Sequence, residues 1–170
     1  MEFLIEAIEK LSATPERAAE LARGLSEEQL SRKPSPELFS LQESILHLRD
    51  IDVEGYEPRV RRILEEDEPL LGDVNGAKLA RDRNYNAQPV EPALAELAMV
   101  RASSLERLQG CTDTDLERTA QMEGAGVVTL RRLLEMWMEH DADHLGDMIE
   151  MRRAIEANDP KPSFGRHQAA

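Results

Sequence analysis

The sequence predicts an all-α fold, a four-helix bundle, from three observations. Long stretches carry apolar residues at helical spacing and alternate with clusters of glycine and proline. Several of these stretches start with a recognisable helix cap, and signals for β-strands are nearly absent between them. The length of 170 residues and the hydrophobic content of 41% suit one domain, which we expect to span residues 1–158, with a flexible tail over residues 159–170.

The first predicted helix begins near the amino terminus, with apolar residues from Phe3 onward. Thr14 and Pro15 interrupt it, because a threonine followed by a proline is typical of a helix start. The stretch is therefore either one kinked helix or two consecutive helices.

The second long helix has a sharp start signal. A short turn precedes it, in which Ser26 and Gln29 form a capping box. A second capping box, Ser40 with Glu43, opens the long helix. Apolar residues then continue at helical spacing, so we expect this helix to run to about Glu66.

The third and fourth helices follow a long connection, residues 70–89, which we expect to cover one end of the bundle and to provide substrate contacts. The third helix begins near Pro92 and ends at Gly110, since glycine commonly terminates helices. The fourth begins near Thr129 and continues until residues 159–160, where a proline ends it. Four helices then share one core.

The charge of the chain argues against two classes of partner. With 21 basic and 34 acidic residues, its net charge of −13 repels nucleic-acid backbones and anionic membrane surfaces. Residues 1–10 mix acids with apolar side chains, unlike a signal peptide, and no apolar run approaches membrane length. We therefore expect a soluble, cytoplasmic protein. A single cysteine, Cys111, forms no internal disulfide, so any metal must be held mostly by nitrogen and oxygen.

Two histidines one helical turn apart are the most informative feature of the chain. His140 and His144 lie on the apolar stripe of the fourth helix. Residues at this spacing lie about 5–6 Å apart at Cβ, so both imidazoles can bind one divalent metal ion. The alternative is that both are ordinary core histidines with neighbouring side chains as partners. Two such rings on one buried stripe favour a metal ion, which satisfies a lone pair on each.

His47 is the candidate for a third ligand. The chain has four histidines, and the remaining one, His167, falls in the predicted tail. The helix face around His47 also carries acids such as Glu43, Asp50 and Glu54. His47 is therefore either a ligand or part of a solvated charged face.

Three segments of the chain form a recognisable combination. They are Leu-Ser-Glu-Glu-Gln-Leu at residues 25–30, Ser-Leu-Gln-Glu-Ser-Ile-Leu-His-Leu-Arg-Asp at residues 40–50, and His-Asp-Ala-Asp-His-Leu-Gly at residues 140–146. Together they resemble the DinB-like (damage-inducible) family of four-helix bundles. The resemblance spans most of the chain and implies an up-down-down-up helix order, as in YfiT-type and thiol-dependent S-transferase bundles. It also implies that His47, His140 and His144 hold a divalent metal ion. Phe39 stands where members often have tryptophan and keeps an aromatic residue there.

Three imidazoles leave a divalent ion with an open coordination position, which is typical of catalytic sites. Zinc, nickel, iron and manganese all accept such ligands. An ion held in this way lowers the pKa of a bound water or deprotonates a bound thiol. The resemblance implies the thiol reaction, in which a low-molecular-weight thiol such as bacillithiol or mycothiol is transferred to an electrophilic small molecule, and it also implies a homodimer. A metal-dependent hydrolase and a non-enzymatic bundle that binds a metal or small ligand are the alternatives.

Six further side chains are candidates to assist the site. Asp50, Asp143 and Asp147 are either carboxylates that orient a ligand or surface acids. Arg83 and Tyr85, in the long connection, and Arg101, in the third helix, are candidates to bind an anionic group, although an arginine in an acidic protein more often pairs with a carboxylate. Of these we select Asp50, Arg83 and Tyr85 as the catalytic helpers.

The histidine pair must be distinguished from the H-E-x-x-H motif of zinc proteases, in which a glutamate beside the first histidine acts as general base. The corresponding residue here is Asp141, next to His140. Aspartate is one methylene shorter, and a third protease ligand has no obvious candidate. Peptide hydrolysis is therefore disfavoured.

Overall fold

Seven α-helices and three short β-strands form residues 1–157, the part of the chain that the computed structural model describes. The helices are α1 (Glu2–Ala22), α2 (Glu27–Ser31), α3 (Leu41–Ile51), α4 (Glu57–Glu65), α5 (Gly76–Asp82), α6 (Val90–Gln109) and α7 (Leu130–Glu156). The strands are β1 (Leu70–Leu71), β2 (Thr119–Met122) and β3 (Gly126–Thr129). A π-helical turn, Asp52–Tyr56, joins α3 and α4 into one long segment, α3–α4. Together with α1, α6 and α7, this segment forms the predicted four-helix bundle.

Contacts near the helix ends fix the relative direction of α3–α4 and α6. Near the starts of both segments, Arg49 donates to Glu96 (2.7 Å). Near their ends, Arg107 donates to Glu65 (3.1 Å). The two segments therefore run parallel.

Helices α1 and α7 form a second parallel pair. At their starts, the guanidinium of Arg131 lies 4.4 Å from the ring centroid of Phe3. Near their ends, Arg152 donates to the carbonyl of Leu21 (3.1 Å). The amino terminus pairs with Asp113, just beyond the end of α6, so α1 runs antiparallel to α6. The helix order is therefore up-down-down-up, as the family resemblance implies.

Helix α1 is continuous through Pro15, which resolves the two possibilities that the sequence leaves open. Proline has no backbone N–H, so the carbonyl of Leu11, four residues earlier, loses its helical partner. Arg101 of α6 donates to that carbonyl instead (2.8 Å). The proline therefore creates a link between α1 and α6 where the sequence alone allowed a helix start.

The two predicted capping boxes are confirmed, whereas the helix start suggested by Thr14 and Pro15 lies inside α1. The capping boxes of Ser26 with Gln29 and of Ser40 with Glu43 both close reciprocally. The side chain of Thr129 accepts a hydrogen bond from the backbone and caps α7. These signals depend only on residues within one turn of each other, which is why the sequence reveals them.

The prediction that strands are nearly absent is wrong for one small sheet. Strand β1 pairs parallel with β2, and β2 pairs antiparallel with β3. Gly124 and Gly126 in the β2–β3 hairpin have φ angles of +79° and +77°, in the left-handed region that favours glycine. The strands are two to four residues long, too short for an alternating pattern to be evident in the sequence.

The long connection, residues 70–89, contains β1, α5 and a 3₁₀ turn. It packs along α3, from the helix cap to Asp50. Gln42 donates to the carbonyl of Gln88 (2.8 Å), and the hydroxyl of Ser40 donates to Asn86 (2.6 Å). These bonds hold the connection on the helix that carries His47.

The core consists of two apolar clusters with a polar layer between them. Along α7, one cluster includes Leu133 and Trp137, and the other includes Met148 and Met151. His140 and His144 lie between these positions. The polar layer therefore interrupts the core near the middle of the bundle.

The predicted tail over residues 159–170, with His167, lies outside the described residues. Helix α7 ends at Glu156, within the predicted domain. In the part of the chain that is described, no helix combines the length and apolar character needed to cross a membrane.

Candidate metal centre

Three histidines from two helices meet in the polar layer. His47 belongs to α3, and His140 and His144 belong to α7. The Nε2 atoms of His47 and His140 lie 3.1 Å apart, and one ring nitrogen from each of the three lies within 4.8 Å of the others. The ring centroid of His144 lies 4.4 Å from that of His47 and 4.5 Å from that of His140. The structure thus brings together the three histidines that the sequence suggests as ligands.

Two of the three rings are held in the neutral form. Burial and the nearness of His144 and His140 lower the pKa of His47 well below its usual value. Burial and the nearness of His140 lower the pKa of His144 to about 3. Neutral imidazole has a free lone pair and is the form that binds a metal ion.

The hydrogen bonding of the rings differs from that of ordinary core histidines. The Nδ1 atoms of His47, His140 and His144 are all buried and have no hydrogen-bond partner within residues 1–157. Core histidines normally have such partners. Three converging imidazole nitrogens are a suitable donor set for a divalent ion with an open position.

Two aromatic rings enclose the cluster. The centroid of Phe39 lies 5.3 Å from that of His47 and 6.5 Å from that of His144. The centroid of Tyr56 lies 5.7 Å from that of His140. Phe39 therefore lies beside two of the three histidines.

Gly76, the first residue of α5, packs closely on His47. A Cβ atom at this position would lie 2.4 Å from Cε1 of His47 and 2.9 Å from its Nδ1. Such distances are well inside van der Waals contact. The position therefore requires glycine, a constraint that the isolated sequence of the connection does not reveal.

A buried ion network adjoins His140. Arg101, which is 1% exposed, donates to Asp52 through two nitrogens (2.8 and 3.0 Å) and to Oδ2 of Asp141 (2.6 Å). Thr14 donates to the same Oδ2 (2.7 Å). The other oxygen of Asp141 lies 3.6 Å from Nδ1 of His140. The network connects four helical segments to one candidate ligand.

The pKa values of the two carboxylates in this network shift in opposite directions. Burial raises the pKa of Asp52 to about 6, although Arg101 opposes the shift. Burial also favours the neutral form of Asp141, but the charge of Arg101 and the polar contacts with His140, Arg101 and Thr14 outweigh it and hold the pKa of Asp141 below its usual value. Asp141 therefore keeps its negative charge to lower pH than Asp52 does.

The π-helical turn contributes to the same network. Asp52, its first residue, accepts a hydrogen bond from Nε1 of Trp137 (2.9 Å). Tyr56, its last residue, stacks on Trp137 with centroids 4.8 Å apart, and Arg101 lies 4.6 Å from the Trp137 centroid on the ring face. Such turns occur frequently at functional sites.

The three predicted helpers form a cluster of their own. Asp50 is 1% exposed and accepts hydrogen bonds from Tyr85 (2.6 Å) and Arg83 (2.7 Å), while Arg49 lies 2.5 Å from its other oxygen. Arg83 also pairs with Glu54. Within residues 1–157, none of the three helpers forms a hydrogen bond with the candidate ligands. Their contacts fasten the long connection to α3, and a catalytic role for them stays a prediction.

The remaining acids near the histidines have varied surroundings. Asp143 is exposed, whereas Asp147 is buried on α7. Glu43 closes the capping box of α3 and pairs with Lys33 (3.0 Å). The carboxylate best placed to orient a candidate ligand is instead Asp141, beside His140. From the sequence, Asp141 is recognisable only as the counterpart of the protease general base.

Comparison with known proteins decides the family. A family model described as the DinB superfamily matches residues 10–148. The chain belongs to the DinB superfamily. The resemblance drawn from its three sequence segments is thereby confirmed.

This DinB-superfamily protein is similar in structure to YfiT from Bacillus subtilis, described as "a probable metal-dependent hydrolase with an unusual four-helix bundle topology". The TM-score is 0.83 at 18% identity, and the match covers 90% of this chain and 87% of YfiT, which establishes a shared fold. In sequence it is 28% identical to the uncharacterized protein YuaE of Bacillus subtilis, over 79% of this chain and 90% of YuaE. It is also 23% identical to a Halalkalibacterium halodurans protein named "Putative metal-dependent hydrolase", over 81% of this chain and 80% of that protein.

Proposed function

We propose that the protein is an enzyme that uses a divalent metal ion, held by His47, His140 and His144, to activate a nucleophile against a small-molecule substrate. The observation that carries the proposal is the approach of three ring nitrogens to within 4.8 Å of one another in a buried layer. These ligands add no negative charge to the ion, which favours its Lewis acidity. Zinc, nickel, iron and manganese all suit the donor set.

Hydrolysis is the reaction that we place first. A bound ion would activate water at neutral pH without a side-chain base. The protein's own residues supply the position of the ion and its enclosure by Phe39 and Tyr56. Two similar proteins described as metal-dependent hydrolases support this choice.

Transfer of a low-molecular-weight thiol is the second candidate. The family resemblance favours it, and the same ion would deprotonate a thiol. Within the described residues the three-histidine cluster contains no cysteine, so a thiol nucleophile must enter from solution. A thiol such as bacillithiol or mycothiol would then react with an electrophilic small molecule.

The first experiment measures the metal content of protein purified without a nickel column, beside a His140→Ala variant. We expect one tightly held divalent ion per chain in the wild type and a strong reduction in the variant. Protein without metal, or equal content in both, would refute the site.

The second experiment separates the two reactions. Metal-free and metal-loaded protein are assayed on a panel of ester, amide and phosphoester substrates, and separately with cellular thiols and a generic electrophile. Turnover that requires metal in one panel identifies the nucleophile. Metal binding with no turnover in either panel would favour the non-enzymatic binding bundle.

We further propose a homodimer in the cytoplasm, on the family resemblance and composition. Bundles with exposed apolar residues associate symmetrically, and Ile5 and Met99 are 55% and 67% exposed here. Sedimentation equilibrium at micromolar concentration tests the dimer. A monomer at all concentrations would contradict it.

A further inference from the structure

We propose that Asp141 is a positioning residue that holds the proton of His140 on Nδ1 and thereby leaves Nε2 free to bind the metal ion. This inference rests on the proposed function, because it takes His140 as a ligand. It concerns how the ligand is oriented, which neither the family match nor the similar proteins address.

Two buried atoms that lack hydrogen-bond partners face each other at this point. Nδ1 of His140 and Oδ1 of Asp141 both have no partner within residues 1–157, yet they lie 3.6 Å apart. A protonated Nδ1 is a donor and a carboxylate oxygen is an acceptor, so the two atoms complement each other. A movement of about 0.5 Å brings them to hydrogen-bond distance.

The carboxylate of Asp141 is fixed from its other side. Oδ2 accepts from Arg101 (2.6 Å) and from Thr14 (2.7 Å), which leaves Oδ1 for His140. Arg101 is itself held by two bonds to Asp52 and one to the carbonyl of Leu11. Side chains at consecutive helix positions do not normally face each other, so this approach depends on the rotamer that Arg101 and Thr14 impose.

The tautomer of His140 matters because its Nε2 faces the cluster. That atom lies 3.1 Å from Nε2 of His47. If the proton of His140 is on Nδ1, its Nε2 carries a lone pair toward His47 and toward a shared ion. Metal-binding histidines commonly donate their second N–H to a carboxylate, and loss of that partner typically lowers metal affinity about 10–100-fold.

The substitution Asp141→Asn tests this role. Arg101 and Thr14 both donate to Oδ2, so the amide oxygen of an asparagine must face them and its NH₂ group must face His140. A donor at that place forces the proton of His140 onto Nε2, where it blocks the metal. We expect zinc affinity, measured by competition with a chromophoric chelator, to fall about 10–100-fold.

Asp52→Asn is the matched control. Asp52 is the other carboxylate on Arg101, equally buried, and it contacts Trp137 and not His140. A loss of buried charge alone should destabilise both variants, whereas zinc affinity should fall further in Asp141→Asn than in Asp52→Asn, because Asp52 reaches His140 only through Arg101 and Asp141. Equal affinity in Asp141→Asn and wild type, or equal loss in both variants, would overturn the proposal.

A measurement on the metal-free wild type covers the case in which the variants do not fold. Long-range ¹⁵N–¹H correlation spectra distinguish the two neutral tautomers, and His140→Gln assigns the signals of His140. We expect the Nδ1–H form for His140, and the Nε2–H form would overturn the proposal. This result is independent of the proposed function, which fails separately if the wild type binds no metal.

Discussion

The contact between Gly76 and His47 predicts that one added methyl group disables the metal centre. In a Gly76→Ala variant the new Cβ would lie 2.4 Å from Cε1 of His47. Carbon atoms in contact normally lie about 3.5–4.0 Å apart, so the ring or the start of α5 must move by about 1 Å. Gly76 has a helical conformation that alanine adopts without strain, so the clash with the ring is the main effect.

The size of the effect follows from the tolerance of metal sites. Distances from a ligand to its ion vary by only about 0.2 Å in competent sites, so a shift of about 1 Å removes His47 from the set. We expect zinc affinity to fall at least about 10-fold, the lower end of the loss seen when a ligand loses its orienting partner. Chelator competition measures the affinity, and circular dichroism of the metal-free variant checks the fold.

Gly146→Ala provides the matched control. Gly146 is also a helical glycine, next to the site in sequence, but a Cβ there meets no atom within 4 Å. This variant should gain up to about 1 kcal/mol of stability from helix propensity and keep its zinc affinity. Unchanged zinc affinity in a folded Gly76→Ala protein would refute the reasoning, since it would show that α5 moves and His47 keeps its position.

Three further predictions concern metal, pH and the helper cluster. Zinc at 100 times its dissociation constant should stabilise the wild type by about 2.7 kcal/mol, and His140→Ala should lose this gain in urea unfolding. Because the folded-state pKa of His144 is about 3 and its usual value is 6.5, the unfolded chain binds more protons between these values. The stability that His144 contributes is thus fully present above about pH 6.5 and is lost as the pH falls. The free energy of unfolding of the metal-free wild type should therefore decrease by about 1 kcal/mol more than that of His144→Gln between pH 6.5 and 5.5. Tyr85→Phe removes a donor to buried Asp50 and should cost about 1–3 kcal/mol without changing zinc affinity.

Each of these predictions has a contradicting result. Equal stabilisation of His140→Ala by zinc would place the ion elsewhere. A parallel pH dependence of wild type and His144→Gln would mean that folding does not lower the pKa of His144. Reduced zinc affinity in Tyr85→Phe would show that the helper cluster acts on the site and not only on the long connection.

The sequence predicts those parts of the structure that depend on neighbouring residues. The capping boxes of Ser26 and Ser40 and the spacing of His140 and His144 are local patterns, so they identify helix starts and a shared helix face directly. The position of His47 beside that pair depends on the packing of α3 on α7. The family resemblance predicts this position of His47, whereas the spacing of residues along the chain does not.

Other features depend on distant residues and could not be predicted. Asp141 faces His140 because Arg101, 40 residues earlier, holds its other oxygen. The buried position of Arg101 depends in turn on α1, through Thr14 and the carbonyl of Leu11. No local pattern in an acidic chain distinguishes this arginine from one in a surface ion pair.

The link that Pro15 creates has a consequence for mutational scanning. The atom that accepts the hydrogen bond from Arg101 belongs to the backbone of Leu11, so replacing the Leu11 side chain leaves the acceptor in place. A side-chain scan would therefore record position 11 only as apolar core. The position that controls the acceptor is 15, because any residue other than proline restores an N–H that competes for the same carbonyl. Substitutions at residue 15, which is not one of the three clustered histidines, therefore decide whether the hydrogen bond from Arg101 to the carbonyl of Leu11 is kept.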